Sequence, residues 1–365
     1  MKRACWLLAA ALSASAAERW QVAYLHDAPD NSEFRIQDLA FASPRRGMAA
    51  GVLEKAGKQQ PYALVTADGG QVWGLLRLPE APLSLYFLNE EAGWLVGRKG
   101  IWHTADMGGT WRKLGRAPDA LRVYFQTAQR GWAVGSNKSV YETADGGATW
   151  TRVAAAAQPK TTPQHTVYAT IAFANEKAGV IVGWSKPPRR EERGRAPAWM
   201  DPDSAPREWP TISILLDTRD GGRQWSVSET TLFGQITRVS VARNGRGLSL
   251  TEFFDRFDYA SEVFRFDWRT RRTERAFRRH DRMVTDVLAA AEGPAYLAVI
   301  EPLGTVPRSP IPGKLKLLQS KDLELWSEME VDYRAVARRA ILASPAPGQV
   351  WVATDTGMIL HLVGD

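Results

Sequence analysis

The chain has 365 residues, with 47 Lys+Arg against 40 Asp+Glu and a formal net charge of +7. At 44% hydrophobic and 24% charged residues it has the make-up of a folded protein, which excludes a disordered or collagen-like chain. Its single Cys excludes an intrachain disulfide framework, and its length allows one large domain or two smaller ones.

In chain order the first feature is a leader. Met1-Lys2-Arg3 is basic, Ala4 to Ala14 is an apolar run too short to span a bilayer, and Ala14-Ser15-Ala16 offers small residues for cleavage. The expectation is a secretory signal peptide over 1–17, an exported and periplasmic mature chain over 18–365, and a mature charge of +7 − 2 = +5 once Lys2 and Arg3 leave. Cys5 leaves with the leader, and no later stretch is long and apolar enough for a membrane span.

A repeat organises the rest of the chain. Gly93-Trp94-Leu95-Val96-Gly97 precedes Thr104-Ala105-Asp106-Met107-Gly108-Gly109-Thr110-Trp111, and Gly131-Trp132-Ala133-Val134-Gly135 precedes Thr143-Ala144-Asp145-Gly146-Gly147-Ala148-Thr149-Trp150. Other copies end at Thr66-Ala67-Asp68-Gly69-Gly70 with Trp73, and at Thr218-Arg219-Asp220-Gly221-Gly222 with Trp225; Ser320-Lys321-Asp322 with Trp326 is a worn copy. Short runs rich in Val, Ile, Trp and Tyr read as strands, and Asp-Gly-Gly between two of them reads as a hairpin. The Asp carboxylate can accept from the backbone of its own turn, and the following Trp can fill the space between neighbouring sheets.

Seven units are delimited in this way, at 36–78, 82–117, 121–156, 168–228, 235–278, 284–332 and 334–362. The fifth lacks the Asp turn, and the fourth and sixth carry Pro-rich insertions at about 185–210 and 303–314. The seventh lacks a last strand, which Arg19-Trp20-Gln21-Val22-Ala23-Tyr24 resembles. The expectation is an all-β chain: a single seven-bladed β-propeller of four-stranded antiparallel blades, its ring closed by the N-terminal strand.

The turn Thr-x-Asp-x-Gly-x-Thr-Trp resembles the Asp-box, or BNR repeat. The longer unit is similar to that of the photosystem II stability/assembly factor family of propellers, most closely over 131–150. The resemblance implies an exported, non-enzymatic binding or assembly scaffold for protein partners of the cell envelope, with no cofactor and no metal. In it, Thr66, Asp68, Gly70, Trp73, Thr104, Asp106, Gly108, Trp111, Thr143, Asp145, Gly147, Trp150, Thr218, Asp220, Gly222 and Trp225 are structural rather than catalytic. Their hairpins recur at blade spacing on the outer rim and cannot converge on one substrate.

The alternative is a sialidase-like glycoside hydrolase or glycan-binding propeller, for which Phe34-Arg35-Ile36-Gln37 sits where an early Phe/Tyr-Arg-Ile-Pro motif would lie. Gln37 replaces the Pro, no later arginines match, and Phe34 and Ile36 also fit an innermost strand. His26, His103, His165, His280 and His361 lack metal-ligand spacing. The strongest charge feature holds Arg269, Arg271, Arg272, Arg275, Arg278, Arg279 and Arg282 against Glu274 and Asp281, a local charge of 7 − 2 = +5. Arg grips carboxylates and phosphates bidentately, so this stretch is the candidate contact for a membrane-associated protein partner, with anionic lipid or glycan as further contacts. The blander reading is a solvated charged face. No nucleic-acid motif is present, and a monomer is expected.

Overall fold

The computed structural model describes residues 18–28, 30–188, 207–242, 244–255, 257–290, 293–302 and 311–364. The leader expected over 1–17 and most of the two expected insertions lie outside them. Seven antiparallel sheets form the ring expected from the repeat. In six of them the strands follow chain order, with the first strand innermost. The seventh takes Ala340–Ala346, Gln349–Thr354 and Met358–Val363, and is completed on its outer edge by Arg19–Leu25, where Trp20 lies opposite Leu362. The sixth carries an additional short strand, Val336–Ala337, beside Gly313–Ser320.

Burial follows from this stacking. Second strands such as Gly131–Gly135 are sandwiched between two neighbouring sheets and are buried along their whole length, so they read as continuous apolar runs. Fourth strands such as Thr151–Arg152 lie at the rim, fully exposed.

The inner strands share a device that the local sequence builds. Glu33–Phe41, Pro82–Asn89, Ala120–Phe125, Thr166–Phe173, Gln235–Val241 and Met283–Ala289 each shift register by one residue near their start. The residue after each shift is polar: Asp38, Ser84, Arg122, Thr170, Arg238 and Asp286. A bulge of this kind bends the strand and re-aims its side chains. It also brings backbone close to the facing strand: a Cβ on Gly135 would run into the carbonyl of Asp119, so only Gly fits there. The same contact with a facing carbonyl recurs at Gly183, whereas at Gly97 the space is taken by the Glu80 side chain.

Aromatic triads join the blades. An inner-strand Phe lies against a second-strand Trp of the preceding blade, and the Trp after the Asp turn meets one or both edge-on. Trp94 and Phe125 stack at 3.7 Å with Trp150 edge-on to Phe125. Trp132, Phe173 and Trp225 repeat this one blade on, as do Trp351, Phe41 and Trp73 between blades seven and one. Offset and edge-to-face pairs add about 0.5–1.5 kcal/mol each beyond their buried area.

Candidate functional site

Antiparallel alternation fixes where each candidate residue can sit. Inner strands start at the end of the ring where second strands connect to third strands. The Asp turns, which connect third to fourth strands, lie at the opposite end.

The four Asp turns have one hydrogen-bond scheme. Thr143 Oγ1 donates to Asp145 Oδ1 at 2.8 Å and accepts from the Gly147 N–H at 2.9 Å. Asp145 Oδ1 also accepts the Thr149 N–H, and Oδ2 accepts its hydroxyl. Thr66/Asp68, Thr104/Asp106 and Thr218/Asp220 repeat the core of this scheme. These bonds favour the carboxylate, so all four Asp residues are held below their ordinary range; the Thr149 hydroxyl and amide and the Thr143 hydroxyl bring Asp145 to about 2. The second Gly closes the turn with positive φ: Gly222, at φ 81°, abuts the Trp132 ring of the preceding blade. The worn copy is a tighter version: the Ser320 hydroxyl donates to Asp322 Oδ1 but accepts from the Leu323 N–H three residues on, the Glu324 N–H goes to Asp322, and Leu323 takes φ 66°. Each carboxylate is therefore spent on its own turn.

The arginine-rich stretch spans the rim of blade five. Arg269 and Arg271 lie in the hairpin before the outer strand Arg272–Arg278, and Arg279 and Arg282 follow that strand. The structure divides the seven. Arg278 pairs with Glu262 at 2.7 Å and lies over the Tyr259 ring, Arg279 pairs with Asp281, and Arg282 pairs with Glu328 at 2.7 Å. Glu274 is taken by Arg265, which also holds Glu324. Arg269, Arg271, Arg272 and Arg275 are exposed and make no ion pair with another described residue. Charge on an outer strand also blunts an open sheet edge.

Arg35 is held by Glu54 across the first two strands of blade one, while Phe34 and Ile36 are buried in the core, as an inner strand requires. The histidines are apart: His26 bonds Tyr24 and Ser32, and His361 stacks on Trp351 at 3.9 Å. Among the described residues no group of His, Cys, Asp and Glu is arranged to hold a metal ion, and no helix is long and apolar enough to cross a membrane.

One charged cluster escapes sequence reading. The bulge positions bring Asp38, Arg122, Arg238 and Asp286 together in the central channel, with Arg122 3.9 Å from Asp38 and Arg238 3.6 Å from Asp286. Beside them a cavity of about 410 Å³ opens at the end where inner strands begin. The signal in the sequence is one polar residue before Leu-Ala-Phe, Leu-Tyr-Phe, Val-Tyr-Phe and Ile-Ala-Phe in blades one to four, but Arg238 precedes Val-Ser-Val and Asp286 precedes Val-Leu-Ala, so the pattern is too variable to register as a repeat.

Known proteins share this geometry. The chain is similar, at TM-score 0.59 and 17% identity over 96% of its length and 98% of the other, to a structure described as YCF48 bound to D1 peptide. It is similar at the same TM-score and 14% identity, over 94% and 98%, to YCF48 from Cyanidioschyzon merolae. The WD40 propeller of Doa1 matches at TM-score 0.55 and 11% identity, over 95% and 97%. At these identities the likeness shows the propeller fold. No curated protein matches the chain. Residues 113–188 match the family described as photosynthesis system II assembly factor YCF48, so the resemblance read from the repeats is matched by sequence over blade three and the first two strands of blade four, while over the rest of the ring the likeness is one of propeller fold.

Proposed function

We propose that the protein is an exported, non-enzymatic scaffold that binds a protein partner of the cell envelope. The match of residues 113–188 to YCF48 and the D1 peptide held by a YCF48 propeller of the same fold support a protein-binding role. The observation that carries the surface is the rim of blade five: Arg269, Arg271, Arg272 and Arg275 stand exposed and form no ion pair with another described residue, while the arginines around them are paired. Four guanidinium groups there match an acidic, membrane-associated polypeptide, with anionic lipid heads as neighbours of the same charge.

The test is crosslinking of the tagged protein in its native envelope, followed by identification of what co-purifies. One envelope protein in stoichiometric amount is the expected result. Arg272→Glu with Arg275→Glu is expected to fold normally and to weaken capture by roughly tenfold or more, through the on-rate and with strong salt dependence. Undiminished capture by this double variant removes the rim from the binding surface. Recovery of no protein together with sialoside hydrolysis lost in Arg35→Ala replaces the scaffold reading by the glycosidase one.

A further inference from the structure

The channel mouth lies at the opposite end of the ring from the Asp turns, and its walls are of two kinds. Leu83, Leu121, Val167, Trp184 and Phe254 are apolar; Glu252, Arg338 and Arg339 are charged groups of the lining, and Arg122 and Arg238 supply charge at its inner end. Neither guanidinium is satisfied by the carboxylate nearest to it. Asp38 accepts the Leu39 N–H on Oδ1 and, across to the next blade, the Leu85 N–H on Oδ2 at 2.8 Å. Asp286 accepts the Val287 N–H and, likewise across the blade boundary, the Leu342 N–H at 2.9 Å. Each carboxylate is occupied in stitching two blades, and each Arg stands beyond hydrogen-bond distance of it.

Arg238 donates one bond, from Nη1 to the Thr237 carbonyl. Arg122 donates none to any described residue. Five N–H donors on Arg122 and the remaining donors on Arg238 are thus left for whatever fills the cavity. The two cations also crowd each other: the charge of Arg238, then burial, depresses Arg122 to about 10 even with Asp38 and Asp286 opposing the shift. A further anion beside the two guanidinium groups adds to the relief those carboxylates give. Glu252 in the same wall accepts from the Thr237 hydroxyl, and Arg338 and Arg339 add two more cations to the lining.

We propose that the channel mouth is a binding site for a monocarboxylate carried on an apolar body, gripped by Arg122 and Arg238 and covered by the Leu83, Trp184 and Phe254 walls. A cavity of about 410 Å³ holds such a ligand, within the range of small-molecule sites of about 300–1,000 Å³. Two sources share this chemistry, a free aliphatic acid and the C-terminal carboxylate of a polypeptide ending in an apolar residue. The site is independent of the blade-five rim.

The test uses the full chain and three probes: octanoate, a hexapeptide ending in Ala-Leu with a free carboxylate, and the same peptide amidated. Binding is followed by Trp fluorescence and by the rise in melting temperature. Octanoate or the free-acid peptide is expected to bind at about millimolar concentration or below, and amidation or Arg122→Gln to weaken binding roughly tenfold to a hundredfold. Arg122→Lys, which keeps the charge but loses the fork, is expected to bind more weakly than wild type. Tighter binding of octanoate assigns a free acid, and tighter binding of the peptide assigns a chain terminus. Arg272→Glu with Arg275→Glu leaves both affinities unchanged, so loss of partner capture and loss of this site are separable. No thermal shift with either acid, or octanoate or peptide binding that is undiminished in Arg122→Gln, overturns the proposal, as does a peptide that binds and is unaffected by amidation.

Discussion

At the scale of the residue, the Asp turns show how little charge chemistry the conspicuous carboxylates have to spare. Asp145 is bonded by its own turn on both oxygens, and those bonds lower its pKa from 3.8 to about 2. A carboxyl more acidic in the folded chain than in the unfolded one stabilises the fold above the unfolded pKa and loses that contribution as pH falls through the folded one. The advantage of wild type over Asp145→Asn is therefore expected to be full above about pH 4 and to fade towards pH 2, as denaturant melts at a series of pH values will read; a constant difference across that window would show that the ionised form is not what matters. These turns were legible in the sequence because the same residue types recur at the same offsets. Arg122 and Arg238 were not, because their importance comes from bulges that aim single residues from different blades into one channel.

At the scale of the element, the blade-to-blade joint is an aromatic triad of unequal members. Trp132 is fully buried under Phe173 of the next blade, whereas Trp150 is half-buried at the rim of its own triad. Trp132→Ala is expected to cost about 3–5 kcal/mol, and Trp150→Ala less, in equilibrium unfolding. Equal costs would place the energetic centre of the joint at the rim. Sequence pattern places the first five blades to within a few residues, since apolar second strands and turn signals alternate regularly even in blade five, which lacks the box; the boundary between blades six and seven is misplaced, because Val336–Ala337, expected in the seventh unit, pairs with a strand of the sixth. It could not divide the seven arginines of blade five into paired and unpaired. That depends on cross-strand register, on a bulge between the last two strands of the blade, and on Glu328 from the next blade.

At the scale of the whole molecule, stability depends on the ring being complete. Trp20 of the closing strand is buried against Tyr296 and donates to Met329 Sδ at 3.3 Å, so this strand ties blade seven to blade six as well as ending it. Without 18–25 the outer edge of Met358–Val363, a strand reading Met-Ile-Leu-His-Leu-Val, is unpaired. Such an edge is a template for other chains. The truncated protein is expected to aggregate and to melt earlier, and a monomeric product with wild-type melting would mean that closure is dispensable. Closure was legible as a missing strand at one end and a spare one at the other. The cavity at the channel mouth was not, because it is enclosed by residues from several inner strands that no linear pattern relates.

Because Arg19 lies opposite Val363 in one sheet, the two ends of the described chain are neighbours although they are separated by nearly its whole length. A protein whose ends meet has no privileged starting point. Bridged by a few Gly and Ser residues, this ring can be opened at another hairpin, such as the Lys55–Lys58 turn, and still place every strand beside its present partner. The order in which the blades are made then becomes a variable separate from the structure they form.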